Sequence, residues 1–92
     1  MRHVRVLLVG AGGYGRQYVD ALLDSGREDV VFAGAVDPFE SAGLARCREA
    51  GVPVFSTLED FLRGHAADLA VIASPIQFHE AQALACLGAG MD

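Results

Sequence analysis

A short run rich in β-branched residues, Val4–Val9, passes straight into Gly10-Ala11-Gly12-Gly13-Tyr14-Gly15 and from there into helical spacing. An apolar run of that length, closed by glycine, is the pattern of a strand buried on both faces. The glycines fit G-x-G-x-x-G, and the strand before them and the helix after them supply the context that gives this short motif meaning. Gly10 lets the chain leave the strand sharply, and Gly12 keeps a side chain away from the place where a pyrophosphate meets backbone. Gly15 lets the helix pack closely on the sheet. The free N–H groups around Gly13 and Tyr14, at the positive end of the helix dipole, then face the phosphates.

The rest of the chain repeats the strand-then-helix order. The spacing predicts a helix over Gly13–Ser25, with Tyr14, Tyr18, Ala21 and Leu22 on its apolar stripe and Gly26 as its stop. A second strand covers Val30–Val36 and ends at Asp37-Pro38, where proline forbids simple continuation. A helix follows over Glu40–Ala50, then a brief strand at Val52–Phe55. Ser56-Thr57-Leu58-Glu59 has the form of a capping box and opens a short helix through Arg63. Asp68–Ala73 is the fourth strand, and a last helix runs from about Phe78 to Leu87. Apolar strands alternating with amphipathic helices imply parallel pairing through right-handed crossovers. The fold class is therefore α/β, a doubly wound parallel sheet with strand order 3-2-1-4.

An acid at the tip of the second strand completes a dinucleotide-binding unit. Asp37 stands 22 residues beyond Gly15. Its carboxylate suits the hydroxyls of an adenosine ribose and repels a 2′-phosphate. Pro38 and Phe39 follow it rather than an arginine, so the expected cofactor is NAD, with NADP disfavoured. Taken singly, the glycines could form an ordinary strand-to-helix turn and Asp37 an ordinary cap. S-adenosylmethionine enzymes share a glycine-rich first turn and an acid after the second strand, but they usually lack the third glycine at this spacing.

Charge narrows the partners. The 92 residues carry a net charge of -5, with seven arginines and no lysine. That balance argues against nucleic acid or an anionic membrane as the main partner. No apolar run approaches a membrane span. The apolar stretch near Met1 is too short for a secretory leader, so a cytoplasmic location is expected. Cys47 and Cys86 lie far apart in sequence and read as reduced, half-buried residues, with a single long-range disulfide as the alternative. His3 and His65 read as surface residues, and no spacing suggests a metal.

Four stretches together resemble the N-terminal domain of the glucose–fructose oxidoreductase and inositol dehydrogenase (Gfo/Idh/MocA) family. They are the Gly10–Gly15 turn, the strand ending Ala35-Val36-Asp37-Pro38, the passage from Gly51 through Phe55 to Leu58-Glu59-Asp60-Phe61-Leu62, and Ala73-Ser74-Pro75 through His79 to Gly90. The resemblance covers essentially the whole chain. It implies a Rossmann-type domain and a parent oxidoreductase that transfers hydride between a nicotinamide cofactor and a sugar, polyol or related hydroxy compound. It also implies that Ser74, Pro75 and His79 line the cofactor beside the ribose and nicotinamide. His79 could equally make a local hydrogen bond in the first turn of the last helix.

In the resembled family a fifth strand and a Glu-Lys-Pro motif follow, and then a second domain that carries most of the substrate site. This chain has no lysine, so no catalytic residue carries over. The expectation is an incomplete dinucleotide-binding domain over residues 1–92, inactive alone, with the substrate domain absent. The fourth strand, lacking a neighbour, is expected to promote self-association, and the full-length protein to be a homo-oligomer. A nucleotide-sensing regulatory module is the alternative, since fold alone does not separate the two.

Overall fold

The computed structural model describes residues 3–12, 14–26, 28–73 and 79–91, and of Tyr14, His79 and Glu80 only the backbone. Among the described residues four strands alternate with four helices in chain order: β1 (Val4–Val9), α1 (Tyr14–Asp24), β2 (Val30–Val36), α2 (Ala42–Glu49), β3 (Val54–Phe55), α3 (Leu58–Leu62), β4 (Leu69–Ile72) and α4 (His79–Gly88). All the strand pairs are parallel, in the order β3-β2-β1-β4. The doubly wound sheet predicted from the alternation is the sheet observed.

Alternation along β1 divides the core in two. Leu7 and Val9 point to one face, where they meet Val36, Leu58, Phe61, Ala67, Cys86 and Met91. Leu8 points to the other and meets Ala11, Val19, Ala35, Leu44, Cys47 and Val52. So α1 and α2 cover one face while α3 and α4 cover the other. Val6, Leu7, Leu8 and Val9 are all buried, which is why the β1 sequence shows an unbroken apolar run there rather than an apolar–polar alternation. Both cysteines are free and buried, one in each cluster.

Two local features escape a reading of periodicity. The β1–β2 register jumps between Val6↔Phe32 and Leu7↔Gly34, so Ala33 is an extra residue in β2. Such a bulge re-aims the strand beyond it. Directly after the bulge, a β-carbon on Gly34 would lie 2.9 Å from Phe61 Cε2. The missing side chain is the space into which the fully buried Phe61 packs.

The apolar stripe of α1 differs from the expected one. Gly15 and Val19 are its buried positions, whereas Tyr18 is 46% exposed and Ala21 is exposed. Gly15, which leaves no room for a side chain, and Val19, which packs with Leu8, lie one turn apart on the side that meets the sheet. The polar side carries a charged tie to α2. Arg46 bonds to Asp20 and, at 2.8 Å, to Asp24, while Arg16 bonds to Asp20 at 3.2 Å. At α3 the cap is Thr57, whose hydroxyl accepts from the Asp60 amide at 3.2 Å. That places the helix start one residue later than the Ser56-x-x-Glu59 box predicted. Asp68 fixes the start of β4, accepting from the Arg5 amide at 2.9 Å and from its guanidinium.

Candidate functional site: the glycine turn and the cleft beside Asp37

The carboxyl end of β1 is pinned from both sides. The Gly10 amide donates to the Val36 carbonyl at 2.7 Å, and the Ala73 amide donates to the Val9 carbonyl at 2.8 Å. From there the chain turns through Gly10 with φ at 94°, a conformation that costs glycine little and other residues much. The Gly15 amide closes the turn on the Gly12 carbonyl at 2.9 Å. A β-carbon on Gly15 would stand 2.1 Å from the Gly10 carbonyl oxygen and 3.7 Å from the Ala73 side chain. The tight contact that requires glycine here is therefore with the backbone of the turn itself. Close helix-to-sheet packing, expected from the sequence, follows from it.

Gly12 is different. A β-carbon there would find only Ser41, at an ordinary 3.7 Å. Among the described residues nothing demands glycine at this position. The space fits a cradle that a side chain would fill and that a phosphate could occupy against backbone amides. No acidic residue stands in the first turn of α1 to compete with an anion for the helix terminus.

Asp37 lies immediately after β2, half-buried, and its carboxylate is already engaged. Oδ2 accepts from the Ala11 amide at 2.9 Å, and Oδ1 accepts from the Phe39 amide at 2.9 Å. A carboxylate offers about four acceptor positions, so capacity remains for ligand hydroxyls. The strand-tip acid predicted from the sequence thus reaches the glycine turn, and the two halves of the motif are one hydrogen-bonded unit.

Sequence reasoning missed the support on the other side of Ala11. A β-carbon on Gly43, in the first turn of α2, would stand 2.2 Å from the Ala11 carbonyl oxygen and 3.3 Å from Arg16 Cδ. Ser41 caps that helix, accepting from the Leu44 amide at 3.2 Å. The helix was expected to begin at Glu40, so the cap moves its start two residues later, to Ala42. The closeness of Gly43 to Ala11 left no mark in the linear sequence.

Beside Asp37 opens a cleft of about 340 Å³. Val9, Gly10, Val36 and Asp37 form one wall, and Pro38 with Phe39 form its lip. The start of α3, from Ser56 to Glu59, and the Ala81, Gln82 and Ala85 positions of α4 form the rest. Phe39 is 76% exposed, an aromatic ring at the rim of a mostly apolar recess. A recess of that size and lining, with a carboxylate at one end, is suited to a small ligand with an apolar planar part and a polar end. Among the described residues that line the cleft, Asp37 and Gly10 were expected as site residues and the others were not.

The other predicted positions divide. Gly13, Ser74 and Pro75 lie outside the described residues. Tyr14 opens α1 and His79 opens α4, but their side chains also lie outside the described residues. Among the described residues no cluster of three His, Cys, Asp or Glu side chains could hold a metal ion, and no helix is long and apolar enough to cross a membrane.

The model of the Gfo/Idh/MocA oxidoreductase family, described as an NAD-binding Rossmann fold, matches residues 4–92. The chain belongs to that family. Among Gfo/Idh/MocA relatives, an inositol 2-dehydrogenase of Corynebacterium glutamicum is 30% identical over 91 residues, which are 98% of this chain and 27% of that protein. A scyllo-inositol dehydrogenase from Lactobacillus casei, solved with NAD(H) and scyllo-inositol bound, superposes with a TM-score of 0.82 at 25% identity, over 98% of this chain and 26% of that one. The WlbA dehydrogenase from Bordetella pertussis, solved with NADH and UDP-GlcNAcA, gives 0.83 at 30% identity, over 98% of this chain and 27% of that one. The chain thus spans about a quarter of the length of the Gfo/Idh/MocA relatives it matches.

Proposed function

We propose that this chain is the NAD-binding portion of an oxidoreductase that transfers hydride between the nicotinamide and a sugar, polyol or related hydroxy compound. The observation that carries the reading is Gly12, where no described residue demands glycine, set in the chain between the Asp37-bound Ala11 and the start of α1. In this reading the amides of the turn from Gly10 to Gly15, Gly13 and Tyr14 included, hold the pyrophosphate. The remaining acceptor positions of Asp37 take the ribose hydroxyls and repel a 2′-phosphate, so NAD is bound in preference to NADP. The adenine enters the apolar recess between Phe39 and α4. Ser74, Pro75 and His79 approach the nicotinamide side.

The bound cofactor supplies the hydride chemistry, and these residues contribute binding and orientation. The dehydrogenases named above, with their inositol and nucleotide-sugar ligands, support catalysis over a sensing role. Residues 1–92 contain no lysine, so the lysine expected from the family pattern, and the groups that hold the substrate, belong to the three quarters of the relatives' length that this chain does not match. We place the protein in the cytoplasm and its working form in a homo-oligomer.

The test is calorimetric titration of NAD and NADP into the wild type, Gly12→Val and Asp37→Ala. Gly12→Val is expected to keep the fold and lose NAD binding, because the added side chain meets ligand space rather than protein. NAD binding that survives Gly12→Val undiminished would overturn the assignment of the turn.

A further inference from the structure

The peptide groups flanking Ala11 are gripped from two directions by elements other than the strand and helix that Ala11 connects. The Ala11 amide donates to Asp37 Oδ2 at 2.9 Å. Its carbonyl oxygen rests over Gly43, so close that a β-carbon there would come to 2.2 Å. Ala11 itself is fully buried, and Ser41 stands beside Gly12. The crossover after β2 and the first turn of α2, residues 37–43, therefore form a mould against the outside of the glycine turn. A turn rich in glycine has many accessible conformations, and a phosphate site works by holding its amides in one of them before the ligand arrives.

We propose that Asp37 and Gly43 are positioning residues for the phosphate-binding turn, acting through Ala11. This rests on the nucleotide reading given above and assigns Asp37 a second task beyond its contact with the ribose. Gly43 touches no ligand in this scheme. Its part is to leave room for the Ala11 carbonyl, so that the Ala11 and Gly12 peptide planes keep the orientation that presents amides to the phosphates.

The two tasks of Asp37 make opposite predictions for the phosphate part of a ligand. If Asp37 served the ribose alone, removing its negative charge would leave phosphate binding unchanged or strengthen it, since like charges repel. If it also holds the turn, removing it weakens phosphate binding despite the loss of that repulsion. The ratio of the adenosine dissociation constant to the ADP dissociation constant isolates this contribution, because both ligands carry the ribose.

The experiment measures both constants by calorimetry for the wild type, Asp37→Ala, Asp37→Asn and Gly43→Ala. Gly64→Ala serves as a control, since a β-carbon there meets nothing within 4 Å. The ratio is expected to fall by about fivefold in Asp37→Ala, the scale of one ordinary hydrogen bond, and to fall in Gly43→Ala. It stays at the wild-type value in Gly64→Ala. Asp37→Asn keeps one acceptor oxygen and is expected to fall between; it carries the test should the other variants not fold. A ratio that holds or rises in folded Asp37 variants overturns the proposal while leaving nucleotide binding intact. A wild type that binds neither adenosine nor ADP overturns the nucleotide reading, and this inference with it.

Discussion

Phe61 packs its ring against the backbone of Gly34, where a β-carbon would lie 2.9 Å from Cε2 and 3.1 Å from Cδ2. The ring also meets Phe55 edge-on at 5.6 Å between centroids and stacks on His65 at 5.5 Å. Gly34→Ala is therefore expected to overpack this face of the sheet and cost about 1–3 kcal/mol in urea unfolding. Phe61→Ala empties the same site and is expected to cost about 3–5 kcal/mol. In the double variant the new methyl meets the space left by the ring, so the two costs sum to more than the measured loss. Strict additivity would show that the two residues do not share the space.

Gly15→Ala separates the turn from the fold in a different way than Gly12→Val. The new carbon meets a backbone carbonyl rather than ligand space, at 2.1 Å, and α1 has to lift from the end of β1. Stability and NAD binding are expected to fall together, the first by about 1–3 kcal/mol. Thermal unfolding beside titration of the same sample checks the pairing. Unchanged stability would show that the turn absorbs the methyl group.

Acid is expected to loosen the tie between α1 and α2. The Arg46 hydrogen bond, followed by that from Arg16, holds the Asp20 carboxyl below the ordinary aspartate range. A carboxylate depressed in this way stabilises the folded chain fully above the ordinary range and loses that contribution as pH falls through its lowered folded value. The stability difference between wild type and Asp20→Asn should be largest near neutrality and vanish in strong acid. Urea melts from about pH 7 down to about pH 2 follow it. Because the Arg46 and Asp20 side chains stay in part open to solvent, at 33% and 41%, high salt is expected to shrink the difference. A pH-independent difference would mean that Asp20 acts through packing alone.

Among the described residues β4 pairs with β1 alone, and Leu69 at its start is 38% exposed. A parallel strand with an uncovered apolar edge offers backbone groups to another chain. Light scattering across a concentration series is expected to show association of this chain, reduced in Leu69→Lys. A monodisperse monomer at the highest concentration would contradict it.

The parts of this molecule that were legible in its sequence are those whose causes are local. β1 and β2 announce themselves because their carboxyl-terminal halves are buried on both faces, and the G-x-G-x-x-G turn because its glycines recur at a fixed spacing directly after a strand. Asp37 was legible from its distance to that turn, although its bonds to Ala11 and Phe39 were not. The stripe of α1 was misread at Tyr18, whose ring weighs heavily in any apolar pattern although it is exposed. Gly15 adds nothing to such a pattern, yet its contact with Gly10 puts that side of the helix against the turn. Gly34 and Gly43 were silent for the same reason: each answers an atom far away in sequence, Phe61 in one case and Ala11 in the other. The bulge at Ala33 leaves β2 apolar throughout and so leaves its composition unmarked.

The division of the core by the sheet has a practical outcome. Cys47 belongs to the layer beneath α1 and α2, Cys86 to the layer beneath α3 and α4, and burial pushes both thiols above their ordinary range. A thiol in that state is inert until its own layer opens. Each side of the molecule thus carries one built-in clock, and the order in which the two sulfurs become reactive tells which layer yields first.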